Sequence, residues 1–301
     1  MNIEEVIKEI SSVVKGKEEV IEFVIACFLS EGHILIEDVP GVGKTVLALS
    51  IARVMDLSFS RIQFTSDLLP SDITGVSVFD QKSKEFVFKK GPVFSNVILA
   101  DEINRAPPKT QSALLEAMAE RSVTVEGITY PLPRPFFVIA TQNPVEHHGT
   151  YNLPESQLDR FMMKISIGYP DPETEREIIT GEDPAEKVRY LSKKVTQEHI
   201  LKLAEIISGI YISPEIIDFI MAIVSETRTS NDIILGVSTR GAIHLVKCCK
   251  AYAFVKGRDF VVPEDVIQIA PVVLSHRIIT RGNITPINIV RKIIENLNVP
   301  Q

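Results

Sequence analysis

A short glycine-rich stretch between two apolar segments constrains the fold of this chain more than any other feature. The run His33-Ile34-Leu35-Ile36 predicts a buried strand, and residues 46–53 predict a helix. Between them lies Glu37–Thr45, in which Gly41 and Gly43 allow backbone N–H groups to close around phosphate oxygens at a helix N-terminus. This strand–loop–helix order predicts a phosphate site at the end of a strand in an α/β fold.

Two side chains after the second glycine fit the same chemistry. Lys44 is placed to reach the β- and γ-phosphates of a nucleotide, and the Thr45 hydroxyl is placed to take one position on Mg²⁺. The pattern G-x-x-x-x-G-K-[ST] begins with a glycine where this chain has Asp38. Because a carboxylate is unsuited to a phosphate cradle, we expect Asp38 to point away from the nucleotide. The alternative is a helix N-terminus with a chance Gly-Lys-Thr.

Two more apolar runs end in polar residues. The strand predicted at 96–102 ends in Asp101 and Glu102, which suit water-mediated binding of Mg²⁺ and polarisation of the attacking water. Two acids in this place would also suit a helix N-cap. A third strand, predicted at 135–143, ends in Asn143, which is placed to orient water or to contact the γ-phosphate. An ordinary Asn-Pro turn is the alternative there.

Together these stretches resemble the AAA+ ATPases and, within them, the MoxR-type branch, which is related to magnesium chelatase and the minichromosome-maintenance helicases. The resemblance spans nearly the whole chain. It rests on four stretches in the same order as in the family: Glu37–Thr45, Asp101–Ala106, Ala140–Pro144 and Leu153–Phe161. MoxR-type proteins commonly carry an acidic residue at the position of Asp38, so this departure is consistent with the branch.

The resemblance implies a role for each matching residue. Val14 and Gly16 match a segment that contacts adenine. The other nucleotide-binding positions are Pro40, Gly41, Val42, Gly43, Lys44, Thr45 and Val46. The catalytic positions are Lys44, Asp101, Glu102, Asn143, Arg160 and Arg240, and those that hold Mg²⁺ are Thr45 and Asp101.

The resemblance also gives a role to each of two arginines. Arg160 matches the arginine finger that reaches the γ-phosphate of a neighbouring subunit, which is worth orders of magnitude in rate. Its alternative is an ordinary surface ion pair worth ~0–1 kcal/mol. Arg240 matches the sensor 2 arginine of the lid, although Gly241 follows it where the family usually has alanine.

The order of elements predicts two domains. Residues 3–31 have helical spacing, and from about 32 to 168 strands alternate with helices, as in a parallel sheet wrapped by helices. We therefore predict an α/β AAA+ P-loop core at 1–168 and a smaller all-helical C-terminal lid domain at 169–301. The helices predicted for the lid are Glu173–Thr180, Gln197–Ile207, Pro214–Arg228, Arg240–Val255 and Pro263–Leu274.

Two hairpins are predicted inside the core. Residues 64–90 contain a loop, a short strand, a polar turn at 81–84 and a returning strand, and Ser122–Pro131 has Glu126-Gly127 at its turn. They resemble the helix-2 insert and the pre-sensor-1 hairpin of the branch. In relatives these projections face a central pore or a partner, whereas the alternative is that they are stabilising surface hairpins.

Composition excludes several other classes. The chain has 301 residues, of which 45% are hydrophobic, and its formal charge of −7 argues against bulk nucleic-acid binding. It has neither a signal-peptide pattern nor an apolar run of membrane-spanning length, so no membrane insertion is expected. Three cysteines without disulfide or zinc spacing suit a reducing cytoplasm. His244 and Cys248 lack a second pair of ligands nearby, so no metal site is expected there.

The resemblance also implies partners. It predicts a cytoplasmic ATPase that uses ATP and Mg²⁺, assembles with itself into a ring, expected to be a hexamer, and remodels or activates a protein client. The usual clients of the family carry a von Willebrand factor A domain. The alternatives are a helicase-like motor acting on nucleic acid, a chelatase-type subunit for metal insertion, and a nucleotide-bound scaffold with little turnover.

Overall fold

The computed structural model describes residues 3–144 and 149–300. Its helices are α1 Ile3–Ser11, α2 Glu18–Leu29, α3 Lys44–Val54, α4 Pro70–Thr74, α5 Pro108–Glu120, α6 Glu155–Leu158, α7 Pro172–Thr180, α8 Pro184–Lys187, α9 Gln197–Ser208, α10 Pro214–Thr229, α11 Thr239–Val255, α12 Pro263–Leu274 and α13 Pro286–Asn296. Its strands are β1 Ile34–Glu37, β2 Phe59–Gln63, β3 Gly75–Asp80, β4 Glu85–Lys90, β5 Val97–Asp101, β6 Ser122–Val125, β7 Ile128–Pro131, β8 Phe137–Gln142, β9 Met163–Ile165, β10 Ile233–Leu235 and β11 Ile279–Thr280. Within these described residues, no helix is both long enough and apolar enough to cross a membrane.

The centre of the molecule is a five-stranded parallel sheet with the order β2-β5-β8-β1-β9. Its central strands β1, β5 and β8 are mostly apolar because both of their faces are covered, as is usual for parallel sheets, whereas the edge strand β2 exposes Arg61 and Gln63. Successive residues of β5 alternate between two core clusters: Leu99 belongs to one, and Ile98 and Ala100 belong to the other. The first cluster also includes buried residues of α1, α2, α3 and the C-terminal helices, and the second includes buried residues of α5. The predicted parallel sheet flanked by helices is confirmed.

The glycine-rich loop leads from β1 into α3 through two left-handed residues. Gly41 has φ +86° and Gly43, at the N-cap of α3, has φ +91°. A Cβ atom at either position would meet no atom within 4 Å, so space does not require glycine there. The backbone conformation does, because L side chains strongly disfavour positive φ.

Both predicted hairpins are present and lie against each other. β3 pairs with β4, and β6 pairs with β7, each antiparallel with its turn at the predicted residues. The rings of Phe88 and Tyr130 stack with centroids 4.4 Å apart, which joins the two hairpins. The short helix α4, which precedes the first hairpin, was not expected from the sequence.

The C-terminal region is mainly helical, as predicted. The five predicted helices correspond to α7, α9, α10, α11 and α12. Helix α13 was missed, although Ile289, Val290, Ile293 and Ile294 recur at helical spacing and are buried. A two-stranded ribbon of β10 and β11 adds a small amount of strand to this region. The domain boundary at residue 168 stays a prediction.

Candidate active site

The carboxyl ends of three neighbouring strands bring the predicted site residues to one edge of the sheet. Lys44 and Thr45 begin α3 directly after the loop that follows β1. Asp101 ends β5 beside Gln63, and Asn143, which is buried, follows the end of β8. Parallel strands share the direction in which they end, so residues far apart in sequence converge here.

Thr141 connects the acidic strand end to the Asn143 strand. Its hydroxyl donates to Asp101 Oδ1 at 2.6 Å and accepts from the Glu102 backbone N–H at 2.9 Å. The other oxygen of Asp101 accepts from Arg61 Nη2 at 2.6 Å. Thr141 is fully buried, so its two bonds are shielded from water, whereas the Arg61 side chain is exposed. No role could be predicted for Thr141 from the sequence, because only the pairing of β5 with β8 brings it beside Asp101.

Glu102 has an unusual backbone conformation. Its φ of 56° and ψ of 49° are left-handed, a conformation that costs a non-glycine residue about 1 kcal/mol or more. Its carboxylate accepts from Gln63 Nε2 at 2.9 Å and lies 3.2 Å from Arg105 Nε. The Thr141 bond fixes the Glu102 backbone, and these two contacts hold its side chain at the strand edge. Gln63 was not identified from the sequence.

Lys44 lies within reach of three acidic residues. Its Nζ donates to the Asp38 carbonyl at 2.8 Å. Partial burial lowers the pKa of Lys44 from its ordinary value, and the charges of Asp101, Asp38 and Glu102 act in the opposite direction. The ammonium group therefore lies between the glycine-rich loop and the two strand-end acids, where it can contact a phosphate chain.

The Asp38 carboxylate is bonded mainly to the chain after β9, as expected of a side chain that points away from the nucleotide. Its Oδ1 accepts from the Val39 backbone N–H at 3.0 Å. Its Oδ2 accepts from the backbone N–H groups of Ile167 and Gly168, each at 2.7 Å, and from Ser166 Oγ at 3.0 Å. Asp38 is buried, so these bonds are strong and costly to leave unmade. The residue thus anchors the chain after β9 to the first position of the phosphate loop.

Replacing Asp38 by the glycine of the usual pattern is expected to damage the protein. Asp38→Gly leaves the buried N–H of Ile167 and the half-buried N–H of Gly168 unpaired, at a cost of roughly 1–3 kcal/mol for each. The free energy of unfolding in urea is therefore expected to fall by about 3 kcal/mol, and the affinity for a fluorescent nucleotide to fall with it.

Ser166→Ala is the matched control for this change. It removes one exposed hydroxyl contact of the same carboxylate and is expected to change stability by less than about 1 kcal/mol. Unchanged stability and tighter nucleotide binding in Asp38→Gly would contradict the anchoring role.

The predicted adenine segment lies against the chain that follows this anchor. Val14 is buried, and Gly16 has φ +67°. A Cβ atom on Gly16 would lie 3.1 Å from Thr174 Oγ1, so glycine is favoured there by space as well as by conformation. Lys17 Nζ donates to the Tyr169 carbonyl at 2.8 Å. The segment therefore packs against the start of α7 and the residues that precede it.

The two predicted catalytic arginines lie at the other end of the strands, at the edge of the sheet where β1 and β9 begin. Arg160 is exposed just before β9, and its Nη1 donates to the Leu115 carbonyl at 3.2 Å. Arg160 and Arg240 line a cleft of about 420 Å³ together with Gly32 and His33, which precede β1. The phosphate loop follows β1, a strand of four residues that spans about 13 Å. The structure does not bring Arg160 and Arg240 together with Lys44 of the same chain.

A single carboxylate links Arg240 to a buried arginine that the sequence analysis missed. Asp159 Oδ2 lies 3.6 Å from Arg240 Nη1, and Asp159 Oδ1 accepts from Arg277 Nε at 2.8 Å. A Cβ atom on Gly241 would lie 2.8 Å from Arg277 Cδ. The unexpected glycine after Arg240 therefore leaves room for Arg277, and it was the one signal in the sequence that could have led to this residue.

Comparison with known proteins agrees with this geometry. The family model described as "ATPase family associated with various cellular activities (AAA)" matches residues 33–163, and the AAA lid domain matches residues 225–295. The chain is similar to Chaperone MoxR1 of Mycobacterium tuberculosis, with 42% identity over 99% of this chain and 82% of the relative. It is also similar to the uncharacterised protein YeaC of Bacillus subtilis, with 44% identity over 98% and 93% of the two chains.

A solved structure shows the same architecture. A crystal structure of a protein from Cytophaga hutchinsonii superposes with a TM-score of 0.90 at 42% identity, covering 100% of this chain and 95% of the other. The relatives and the solved structure therefore match this chain over its core and its helical region together. With the phosphate loop, the strand-end acids and the lid all matched, this chain belongs to the AAA+ ATPases and, within them, to the chaperone-like MoxR family.

Proposed function

We propose that this ATPase works as a ring, a hexamer by its family resemblance, with active sites shared between neighbouring subunits, and that it remodels a protein client. One observation carries the proposal. Arg160 and Arg240 lie at the amino edge of the sheet, whereas Lys44 and Glu102 lie at the carboxyl edge. A chain cannot apply both sets to one nucleotide, but two chains placed side by side can.

Each residue at the carboxyl edge has a definite task. The backbone of residues 40–45 and the Lys44 ammonium hold the phosphates of ATP. Glu102 orients the attacking water and takes up its proton, and Asn143 contacts the γ-phosphate. Arg160 and Arg240 of the adjacent subunit approach the same phosphate and neutralise the charge that develops on it.

The donor set at this edge also fits Mg²⁺. The Thr45 hydroxyl and the Asp101 carboxylate are hard oxygen ligands of the kind that Mg²⁺ prefers, and Asp101 is held in place by Thr141 and Arg61. We therefore assign Thr45 and Asp101 to the ion, with Asp101 acting through water. When bound, Mg²⁺ offsets the negative charge of the phosphates.

A protein client fits the surface better than a nucleic acid does. The tip of the β3–β4 hairpin exposes Phe79 and Phe86, whose rings pack edge to face at 5.5 Å, and Ile128 is exposed on the adjacent hairpin. Exposed apolar groups of this kind are typical of protein contacts. The net charge of −7 disfavours nucleic acid. We propose that the client carries a von Willebrand factor A domain, as the usual clients of the family do.

Dependence of activity on protein concentration tests the shared site. The rate of ATP hydrolysis per chain is expected to rise with concentration and to level off where the oligomer forms, as followed by light scattering. Single- or double-stranded nucleic acid is expected to leave the rate unchanged. Activity that is independent of concentration would contradict shared sites, and salt-sensitive stimulation by DNA or RNA would favour the helicase-like alternative.

A further inference from the structure

Arg277 is a buried guanidinium that contacts the polypeptide on both sides of Arg160. It ends a short 3₁₀ turn after α12, and its side chain is 2% exposed. Besides its bond to the Asp159 carboxylate, its Nη2 donates to the Phe161 carbonyl at 2.6 Å and its Nη1 donates to the Met162 carbonyl at 3.3 Å. Arg277 therefore fixes the residues that flank Arg160 to the helical region.

The same guanidinium also contacts the helix that carries Arg240. Its Nη2 lies 2.7 Å from His244 Nδ1, on α11 one turn after Arg240, and donates a hydrogen bond to it. Burial and the neighbouring Arg277 charge lower the pKa of His244 to about 3, so the imidazole is neutral and accepts this bond. The close approach of Arg277 to Gly241 places the arginine against the first turn of α11.

Asp159 completes the connection. One of its oxygens pairs with Arg277 and the other faces Arg240, while Arg160 is the next residue along the chain. A planar guanidinium that donates to several fixed acceptors restricts position and orientation more tightly than a lysine could. Arg277 thereby connects the backbone on both sides of Arg160 to the helix that carries Arg240.

We propose that Arg277 is a positioning residue, which sets Arg160 and Arg240 at the correct place for the nucleotide of the neighbouring subunit. The inference rests on the proposed sharing of sites. Because Arg277 lies in the helical region of the same chain, it also links movement of that region in one subunit to the arginines that serve the next. Arg277 itself touches no nucleotide.

The test separates position from stability by measuring kcat and KM for ATP. Arg277→Met is expected to lower kcat about 10- to 100-fold, since a displacement of about 1 Å can cost 100-fold. KM is expected to stay within about twofold, because the phosphate loop of the variant is intact. The kcat of Arg277→Lys is expected to lie between those of Arg277→Met and wild type, since lysine keeps the charge but lacks the planar guanidinium.

Mixing Arg277→Met chains with Lys44→Ala chains then shows whether the defect lies in the phosphate loop or in the arginines supplied to the neighbouring subunit. Lys44→Ala chains cannot hold the phosphates but present intact arginines. Arg277→Met mixed with Lys44→Ala is therefore expected to hydrolyse ATP faster than the sum of the two variants measured separately. A defect that arose from poor folding would not be relieved by a second inactive chain.

Two controls accompany the mixture. Arg258→Met removes another arginine of the helical region, which pairs with buried Asp265 at 2.5 Å but does not contact residues 159–162. It is expected to lower stability without lowering kcat in the folded oligomer. Arg160→Ala mixed with Lys44→Ala tests the shared site alone and is expected to regain activity.

The outcomes distinguish the two proposals. Recovery in the Arg160→Ala mixture but not in the Arg277→Met mixture, or wild-type kcat in Arg277→Met, would overturn the role of Arg277 and leave the shared site standing. Failure of both mixtures would overturn the shared site and, with it, this inference. If Arg277→Met does not fold, Arg277→Lys and Gly241→Ala replace it, the latter because its Cβ would displace the Arg277 side chain. Wild-type kcat in both variants would overturn the proposal.

Discussion

Glu102→Gln is expected to bind ATP normally and to hydrolyse it roughly 100- to 10,000-fold more slowly, the range that a general base contributes. Glutamine has the shape of glutamate and can still accept the hydrogen bond from Gln63, so the strand edge should keep its structure. It cannot take up the proton of the attacking water. The measurement is single-turnover hydrolysis, together with the affinity for a fluorescent nucleotide, since the chain contains no tryptophan.

Glu205→Gln provides the control for this change. Glu205 is exposed on α9, far along the chain from the strand edge, and its substitution removes the same charge from the same residue type. Its hydrolysis rate is expected to equal that of wild type. A Glu102→Gln variant that turned over as fast as Glu205→Gln would require another residue to be the base.

The second large effect is expected from Arg160→Ala. An arginine that neutralises charge on the transferred phosphoryl group is worth roughly 1,000-fold or more in kcat, whereas an exposed ion pair contributes ~0–1 kcal/mol to stability. Arg160→Ala is therefore expected to lose nearly all hydrolysis while keeping its stability and its affinity for nucleotide. Steady-state kinetics and urea unfolding measure these quantities.

Titration of wild type with the Arg160→Ala chain reveals where Arg160 acts. As variant chains enter the oligomer, more of the wild-type phosphate loops border a subunit without the arginine, so the wild-type rate is expected to fall. Arg189→Ala is the matched control, because the Arg189 side chain is highly exposed and pairs with Glu186, three residues earlier, at 3.8 Å. A wild-type rate that is insensitive to added Arg160→Ala would mean that each chain works alone.

Substitution of the connecting residues is expected to produce smaller and different effects. Asp38→Gly acts through stability and nucleotide affinity, because it unpairs backbone groups beside the linker. Changes at Arg277 act on kcat with little effect on KM. Substitutions at Asp38 and at Arg277 are therefore expected to have different kinetic effects, the first on nucleotide affinity and the second on kcat.

Much of the fold could be predicted from local patterns. The parallel sheet, both hairpins and five helices of the C-terminal region correspond to runs of apolar residues whose spacing is set by the geometry of strands and helices. The missed elements are short, such as β10 and β11, or, like α13, had a pattern that was overlooked. Local backbone preferences act within a few residues, which is why these elements can be read from the sequence.

Residue patterns alone indicated the candidate site only where its residues follow a strand or a glycine-rich turn, whereas Arg160 and Arg240 were predicted from the family resemblance. Lys44, Asp101, Glu102 and Asn143 each occupy such a place, and the parallel sheet brings their strands to a common edge. Gln63 and Thr141 gave no comparable signal. Their roles depend on the pairing of β2 with β5 and of β5 with β8, which is a property of the register between strands.

The sequence by itself determined the phosphate loop, the acids at the strand ends and the family. Only the tertiary structure decided that Asp38 anchors the chain near Gly168, that Arg240 lies beside Arg160, and that Arg277 holds both. Glycine-rich turns and apolar periodicity are encoded in neighbouring residues, so they can be recognised in a linear string. These contacts join residues that are far apart in the sequence and arise from tertiary packing, so no local pattern encodes them.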